Sequence, residues 1–429
     1  MKTTPTYVIL GANLAGGRTA ETLRAEGFEG RVVLLGAEPD RPYERPPLSK
    51  QYLRGEWPRD KVFLQPADYY DQQRIELRLG LRARQVDPSE KRVTLDTGEQ
   101  IPYDKLLIAT GAAPRRLHVP GADLKGVEYL RALADADALG PTLQHRPRVL
   151  IVGAGFIGSE VAASARLLGC QVTVLEAAAV PLLHALGEQM GAVYAGFHRD
   201  HGVDLRLGEG IAAFGGAGRL EEAVTTSGAR IPCDLAIVGI GVAPVVDFLE
   251  GSGLAVNNGI TTDELCRASQ PDIFAAGDVA NWWHPGLRER LRVEHFDHAD
   301  NQGKAAARSM LGRGEPYAPT LYFWSDQYDL SLEYAGHAAR WDQVVVRGRP
   351  EQHAFSAFYL LDGKILACLS VNRSAELATA QELIAAGRPV DPRQLADEGQ
   401  ELARLVRLEG VEGAGSDRRV VQVVPKDRR

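Results

Sequence analysis

Residues 148–176 read RVLIVGAGFIGSEVAASARLLGCQVTVLE. An apolar, β-rich run ends at Val152, a glycine-rich turn follows, then an alanine-rich helical segment, then a second apolar run that stops on Glu176. Strand, turn, helix and strand within about thirty residues make a βαβ unit. In the turn, Gly153 permits the tight bend, Gly155 lets backbone approach a pyrophosphate, and Gly158 lets helix pack on strand. Phe156 and Ile157 stand between the second and third glycines and belong to the same site. The helix that opens there presents free amides and a positive dipole end to the phosphates. Glu176 falls where an acid accepts from a ribose 2′-hydroxyl and repels a 2′-phosphate. The following AAAVPLL brings no arginine, so NADH is expected over NADPH.

The same device stands at the start of the chain. TYVIL leads into GANLAG and a helical segment, and RVVLLGAE closes the unit on Glu38. Gly11 and Gly16 keep the outer glycines of the loop, while the middle position is Asn13. Asparagine tolerates left-handed backbone better than most residues. On spacing alone the loop is either a second nucleotide site or a structural turn with an empty site.

Between and beyond the two units the chain keeps an α/β character. RPYERPPLSK (41–50), with Pro42, Pro46 and Pro47, forbids a regular helix and favours a stiff extended turn. KLLIATGAAPR, DLAIVGIG and PDIFAAGDVA read as buried strands. After about residue 318, alternating segments and a hairpin signal at Asp362-Gly363 point to a small α+β domain. Its strands precede the helical AELATAQELIAAG. Residues 413–429 are Gly-rich, then basic, and are expected to form a flexible tail.

Composition sets outer limits. A chain of 429 residues holds two or three domains. A net charge of −7 argues against a nucleic-acid binder. The apolar stretch from Leu235 to Val246 is too short to span a bilayer, so no membrane association is expected. The start of the chain carries no leader-like pattern. Cys170, Cys233, Cys266 and Cys368 lie far apart, which fits neither a disulfide framework nor a metal site. The expected location is cytoplasmic.

PYERPPLSK, IATGAAPR, GAGFIGSE, AAGDVA, RVEHFDHA and FWSDQYDL together resemble the flavoprotein ferredoxin reductases, the family of putidaredoxin and rubredoxin reductases. The likeness runs to about residue 410. It implies two Rossmann-like dinucleotide-binding domains, for FAD and NAD, and a C-terminal α+β domain, in a glutathione-reductase-like arrangement. The implied boundaries are 1–117 with 243–318 for FAD, 118–242 for NAD, and 319–412 for the C-terminal domain.

Carried over by motif, Gly11, Asn13, Leu14, Ala15 and Gly16 line the FAD pyrophosphate and Glu38 the adenosine ribose. Arg45 and Lys50 contact the flavin nucleotide, and the backbone at Val86 meets the adenine. Thr110, Gly111, Arg131, Gly277 and Asp278 match further FAD positions. Glu294, His295 and Phe296 fall beside the pyrimidine end of the ring, and Trp324 stacks near it. Gly241 joins the NAD site. One departure is His184, where relatives often carry arginine.

Lys50 and Glu160 resemble the family's pair beside flavin N5. A cation there offsets negative charge gained on reduction, and at 4 Å with an effective dielectric near 20 it is worth about 4 kcal/mol. Glu160 holds the lysine and cancels part of its field. The bland readings are a helix-terminus acid and a solvated turn lysine. The implied activity takes hydride from NADH onto FAD and passes single electrons to a small iron–sulfur ferredoxin or rubredoxin serving an oxygenase. An interaction switch resembling apoptosis-inducing factor and a nitrite- or nitric-oxide-reductase component are the other readings, and FWSDQYD favours the first. A disulfide reductase needs a cysteine pair ahead of Cys170 and is excluded. For docking, Arg115, Arg116 and Arg347 to Arg349 are the basic candidates, and Trp282 and Trp283 the aromatic ones.

Overall fold

The computed structural model describes residues 4–407. The tail expected over 413–429 lies outside the described residues. The buried runs of the first part form a five-stranded parallel sheet in the order 273–275, 105–108, 6–10, 31–35, 75–78. The second βαβ unit nucleates a matching sheet in the order 204–207, 171–176, 148–152, 235–238, 127–129. Val8 to Leu10 and Val149 to Val152 are buried, as expected of strands covered on both faces. Each sheet carries a small antiparallel meander, 83–102 beside the first and 211–232 beside the second. The duplication seen in the two glycine loops therefore extends over whole modules.

Residues 322–371 form a five-stranded antiparallel sheet, packed on its outer face by the helix Ser374–Ala386. Its hairpin turns at Asp362 and Gly363, with φ of 50° and 73°, the left-handed pair that a two-residue turn demands. The other face buries Leu332, Phe355 and Tyr359 against Leu186, Met190 and Tyr194 of the helix Leu183–Asp200. That helix breaks at Gly187 (φ 73°, ψ 178°), where the Trp341 ring occupies the place of a side chain. Tyr359 donates to the carbonyl of Leu186 at 2.9 Å, just before the break. The C-terminal sheet is thereby seated on the second module.

Three expectations need correction. Residues 41–50 are not extended throughout: Pro46–Ser49 wind into a 3-10 turn, because proline fits the first positions of a helical turn. Trp282 is fully buried and only its neighbour Trp283 reaches solvent, since adjacent strand residues face opposite ways. Arg347 is 4% exposed and bonds Glu376 at 2.9 Å, so it braces the C-terminal module and offers nothing to a partner. Arg115, Arg116 and Arg349 are exposed. Among the described residues, no helix is long and apolar enough to cross a membrane. All four cysteines are buried and unbridged.

Candidate functional site

Both nucleotide loops repeat one geometry. A side chain at Gly11 would meet the Ala109 carbonyl at 2.1 Å, and one at Gly153 the Gly239 carbonyl at 2.4 Å. One at Gly16 or Gly158 would strike the carbonyl of Gly11 or Gly153 at 1.9 or 2.0 Å. Only glycine lets strand and helix close this tightly. The helices Leu14–Ala25 and Phe156–Leu167 then start with no side-chain cap, which leaves their first amides for a ligand. Gly155 faces open space, with nothing within 4 Å of where a side chain would stand. Asn13 differs: its amide donates to the Ala109 carbonyl at 2.8 Å and ties the first loop to the neighbouring strand end.

The two helices open on one cleft, partly open to solvent. Leu14 and Ala15 of the first and Phe156, Ile157 and Glu160 of the second line it. Asn13, Arg45, Lys50, Gly111, Arg131, Gly277, Asp278, Glu294, His295, Phe296 and Trp324 complete the expected set found there. Pro46, Ala109, Ala276, Ala299 and Phe323 also line it. None of the five is among the expected site residues, although all stand within the motifs PYERPPLSK, IATGAAPR, AAGDVA, RVEHFDHA and FWSDQYDL.

Other expected residues lie off the cleft wall. Gly11 and Gly16 shape the turn. Thr110 donates its hydroxyl to the Val245 carbonyl at 2.9 Å. The Val86 side chain is buried in the core beside the first sheet, so only its backbone remains for a ligand. Glu38 accepts from Arg45 at 2.7 Å and from the Tyr43 hydroxyl at 2.5 Å. Burial alone raises its pKa, but the Arg45 charge and these bonds outweigh it and hold the carboxyl below its ordinary value. The second-module counterpart, Glu176, accepts from the amides of Ala154 at 2.6 Å and Ala178 at 2.8 Å. Gly241 (φ 93°) accepts the amide of Arg115 at 2.9 Å, on a bend that crosses back to the first module. His184 is exposed.

Charge in the cleft is paired. Arg131 meets Asp278 at 2.6 Å, and the Arg131 carbonyl accepts from Arg45 at 2.6 Å. The Arg131 Nε is buried with no partner, a donor kept for something the protein itself does not supply. Two guanidiniums, one unpartnered donor and an uncapped helix start fit a dinucleotide diphosphate. Lys50 reaches Glu160 at 2.6 Å with side chains 5% and 4% exposed. Ser49 and Ser325 also donate to this carboxylate. Burial lowers the His295 pKa to about 4, so its ring is neutral at pH 7 where it packs against Phe323.

Residues 5–303 match the model for pyridine nucleotide-disulphide oxidoreductases, and residues 322–406 match the reductase C-terminal model. The chain is 42% identical to the ferredoxin–NAD(+) reductase component of the anthranilate 1,2-dioxygenase system of Burkholderia cepacia, over 91% of this chain and 97% of the relative. It is 40% identical to rhodocoxin reductase of Rhodococcus erythropolis, over 91% and 92%. A solved covalent complex of putidaredoxin reductase with putidaredoxin superposes with a TM-score of 0.91 at 34% identity, covering 95% of this chain and 99% of that one. With its paired glycine loops, shared cleft and C-terminal sheet, the chain belongs to the pyridine nucleotide-disulphide oxidoreductase family.

Proposed function

We propose that this chain is an NADH-dependent ferredoxin reductase that holds FAD and delivers electrons one at a time to a small iron–sulfur protein serving an oxygenase. One observation carries the reading: the uncapped helices of both glycine loops open on the same cleft, with a buried lysine–glutamate pair in its wall. Bound FAD supplies conversion of a two-electron hydride into single electrons, which an iron–sulfur acceptor requires.

The protein's part is to hold and orient. The first turn at Leu14 and Ala15, with Arg45 and Arg131, holds the FAD diphosphate. Gly153, Gly155 and Gly158 hold that of NADH, and Glu176 accepts from its ribose. Lys50 places positive charge beside the rings, and Glu160 fixes the lysine. Phe323, Phe156 and the neutral His295 ring pack as an aromatic wall that excludes water. Division into residues 1–117 with 243–318, residues 118–242 and residues 319–412 is part of this proposal. So is a cytoplasmic location, supported by four unbridged cysteines.

Anaerobic stopped-flow mixing of the purified protein with NADH, then NADPH, tests the reading. The expected result is fast loss of flavin absorbance with NADH and a much slower loss with NADPH. A protein that retains no FAD, or that NADH reduces only over minutes, overturns it.

A further inference from the structure

The Glu160 carboxylate gathers three donors from two distant segments of the chain. Oε2 accepts from Lys50 Nζ at 2.6 Å and from Ser49 Oγ at 2.5 Å. Oε1 accepts from Ser325 Oγ at 2.7 Å. Ser325 stands on the first strand of the C-terminal sheet, directly after the cleft residues Phe323 and Trp324, and is 1% exposed. Its hydroxyl is oriented. Gln327, 2% exposed, donates its amide to Ser325 Oγ at 3.1 Å, which leaves the single hydroxyl hydrogen for Glu160.

Lys50 is committed in the same way. One ammonium hydrogen goes to Glu160 and one to the Pro46 carbonyl at 3.2 Å, which leaves the third for the cleft. The placement of that ammonium depends on where Glu160 holds it. With Ser325 present, each carboxylate oxygen has its own donor and Lys50 need serve only Oε2. Without it, Oε1 is a buried acceptor with no donor, a costly state. Lys50, already bonded to the other oxygen of the same carboxylate, is a flexible donor able to relieve it, and doing so draws the ammonium back from the cleft.

We propose that Ser325 is a positioning residue for hydride transfer: acting through Glu160, it keeps the Lys50 ammonium beside the reacting rings. It makes the C-terminal module part of the reaction machinery as well as a cover. The inference rests on the reading of Lys50 and Glu160 as the pair beside those rings.

The experiment compares anaerobic NADH reduction of the FAD-loaded protein in wild type, Ser325→Ala, Ser325→Thr, Glu160→Gln and the Ser325→Ala/Glu160→Gln double variant. The expected result is a roughly ten- to thirtyfold lower limiting reduction rate for Ser325→Ala, up to the size of one hydrogen bond to a charged group. The NADH dissociation constant, FAD content and circular dichroism stay as in wild type. Threonine keeps the hydroxyl and restores the rate. In the Glu160→Gln background, Ser325→Ala changes nothing further, because both act on one interaction. If Ser325→Ala folds poorly, Gln327→Leu frees the hydroxyl without removing it and is expected to lower the rate about threefold. A slow Glu160→Gln protein together with a fast Ser325→Ala protein, or with additive losses in the double variant, overturns the positioning role and leaves the pair standing. A Glu160→Gln protein reduced at the wild-type rate overturns the reading of the pair itself, and the role of Ser325 falls with it.

Discussion

Replacing Glu176 by alanine separates two jobs that one carboxylate could hold. Its oxygens accept from the amides of Ala154 and Ala178 at 2.6 and 2.8 Å, so it braces the turn between strand and helix whatever else it does. The side chain is half-buried, and each oxygen keeps a lone pair for a ribose hydroxyl. A hydrogen bond to a charged group contributes about 2 kcal/mol, so Glu176→Ala should lower kcat/KM for NADH roughly 30-fold. Against NADPH the sign reverses. A 2′-phosphate carries about −2 charge. At about 4 Å each unit pair repels by about 1 kcal/mol in water and about 4 at an effective dielectric of 20. Partial exposure places Glu176 near the lower end, so the penalty is about 2 kcal/mol and its removal should raise NADPH efficiency about 30-fold. Together the preference for NADH should fall about 1000-fold.

Steady-state rates with each nucleotide, with ferricyanide as acceptor and at low and high salt, check this. The NADPH half is Coulombic, and raising ionic strength to about 1 M shortens the screening length to about 3 Å. The wild-type penalty against NADPH should therefore shrink with salt, while the hydrogen-bonded NADH half should barely move. Equal loss with both nucleotides would refute the reasoning, because a carboxylate that only braces the turn cannot tell a hydroxyl from a phosphate.

Two further outcomes follow from the geometry. Asn13→Gly loses the amide bond to Ala109 and should loosen FAD by less than tenfold. Asn13→Asp sets a carboxylate against that carbonyl oxygen and should loosen it far more. Fluorescence titration of released FAD ranks them, and equal affinity in all three proteins would sink the proposed tie. Burial lowers the His198 pKa to about 4, with His201 adding to the effect. The unfolded chain takes up this proton below about pH 6.5 while the folded protein refuses it until about pH 4. Stability should therefore fall by about 3 kcal/mol for this group alone as pH drops through that window. Thermal unfolding across pH 4.5–7 should show a smaller loss in His198→Gln than in wild type, and parallel curves would refute the assignment.

The sequence carries those parts of the fold that local rules govern. Gly153 to Glu176 obeys a backbone requirement within one βαβ unit, and Asp362-Gly363 obeys one within a single turn. Both appear as read. Residues whose place depends on distant chain were misread or missed. Arg347 looks like a surface cation in QVVVRGR, yet it shares with Val345 the strand face that the helix Ser374–Ala386 covers. Glu376 and the carbonyls of Asp397 and Gln400, far along the chain, make that burial tolerable. Trp282 could have been placed by strand alternation alone. Ser325 could not, because nothing near FWSDQ announces a carboxylate contributed from 165 residues earlier.

The middle positions of the two loops explain why a departure from the glycine pattern need not damage a site. Gly11 and Gly153 make the same close approach to a strand-end carbonyl, so the bend itself is identical. At the next position of the pattern, Gly155 leaves open space, while Asn13 commits its amide to the Ala109 carbonyl. A side chain bonded this way ties the loop to the neighbouring strand end. A nucleotide that must enter and leave at every turnover gains nothing from a tied loop, whereas a resident cofactor is held better by a loop that cannot spread. The asymmetry between Asn13 and Gly155 thus matches the roles proposed for the two sites, a retained FAD in the first and an exchanging NADH in the second.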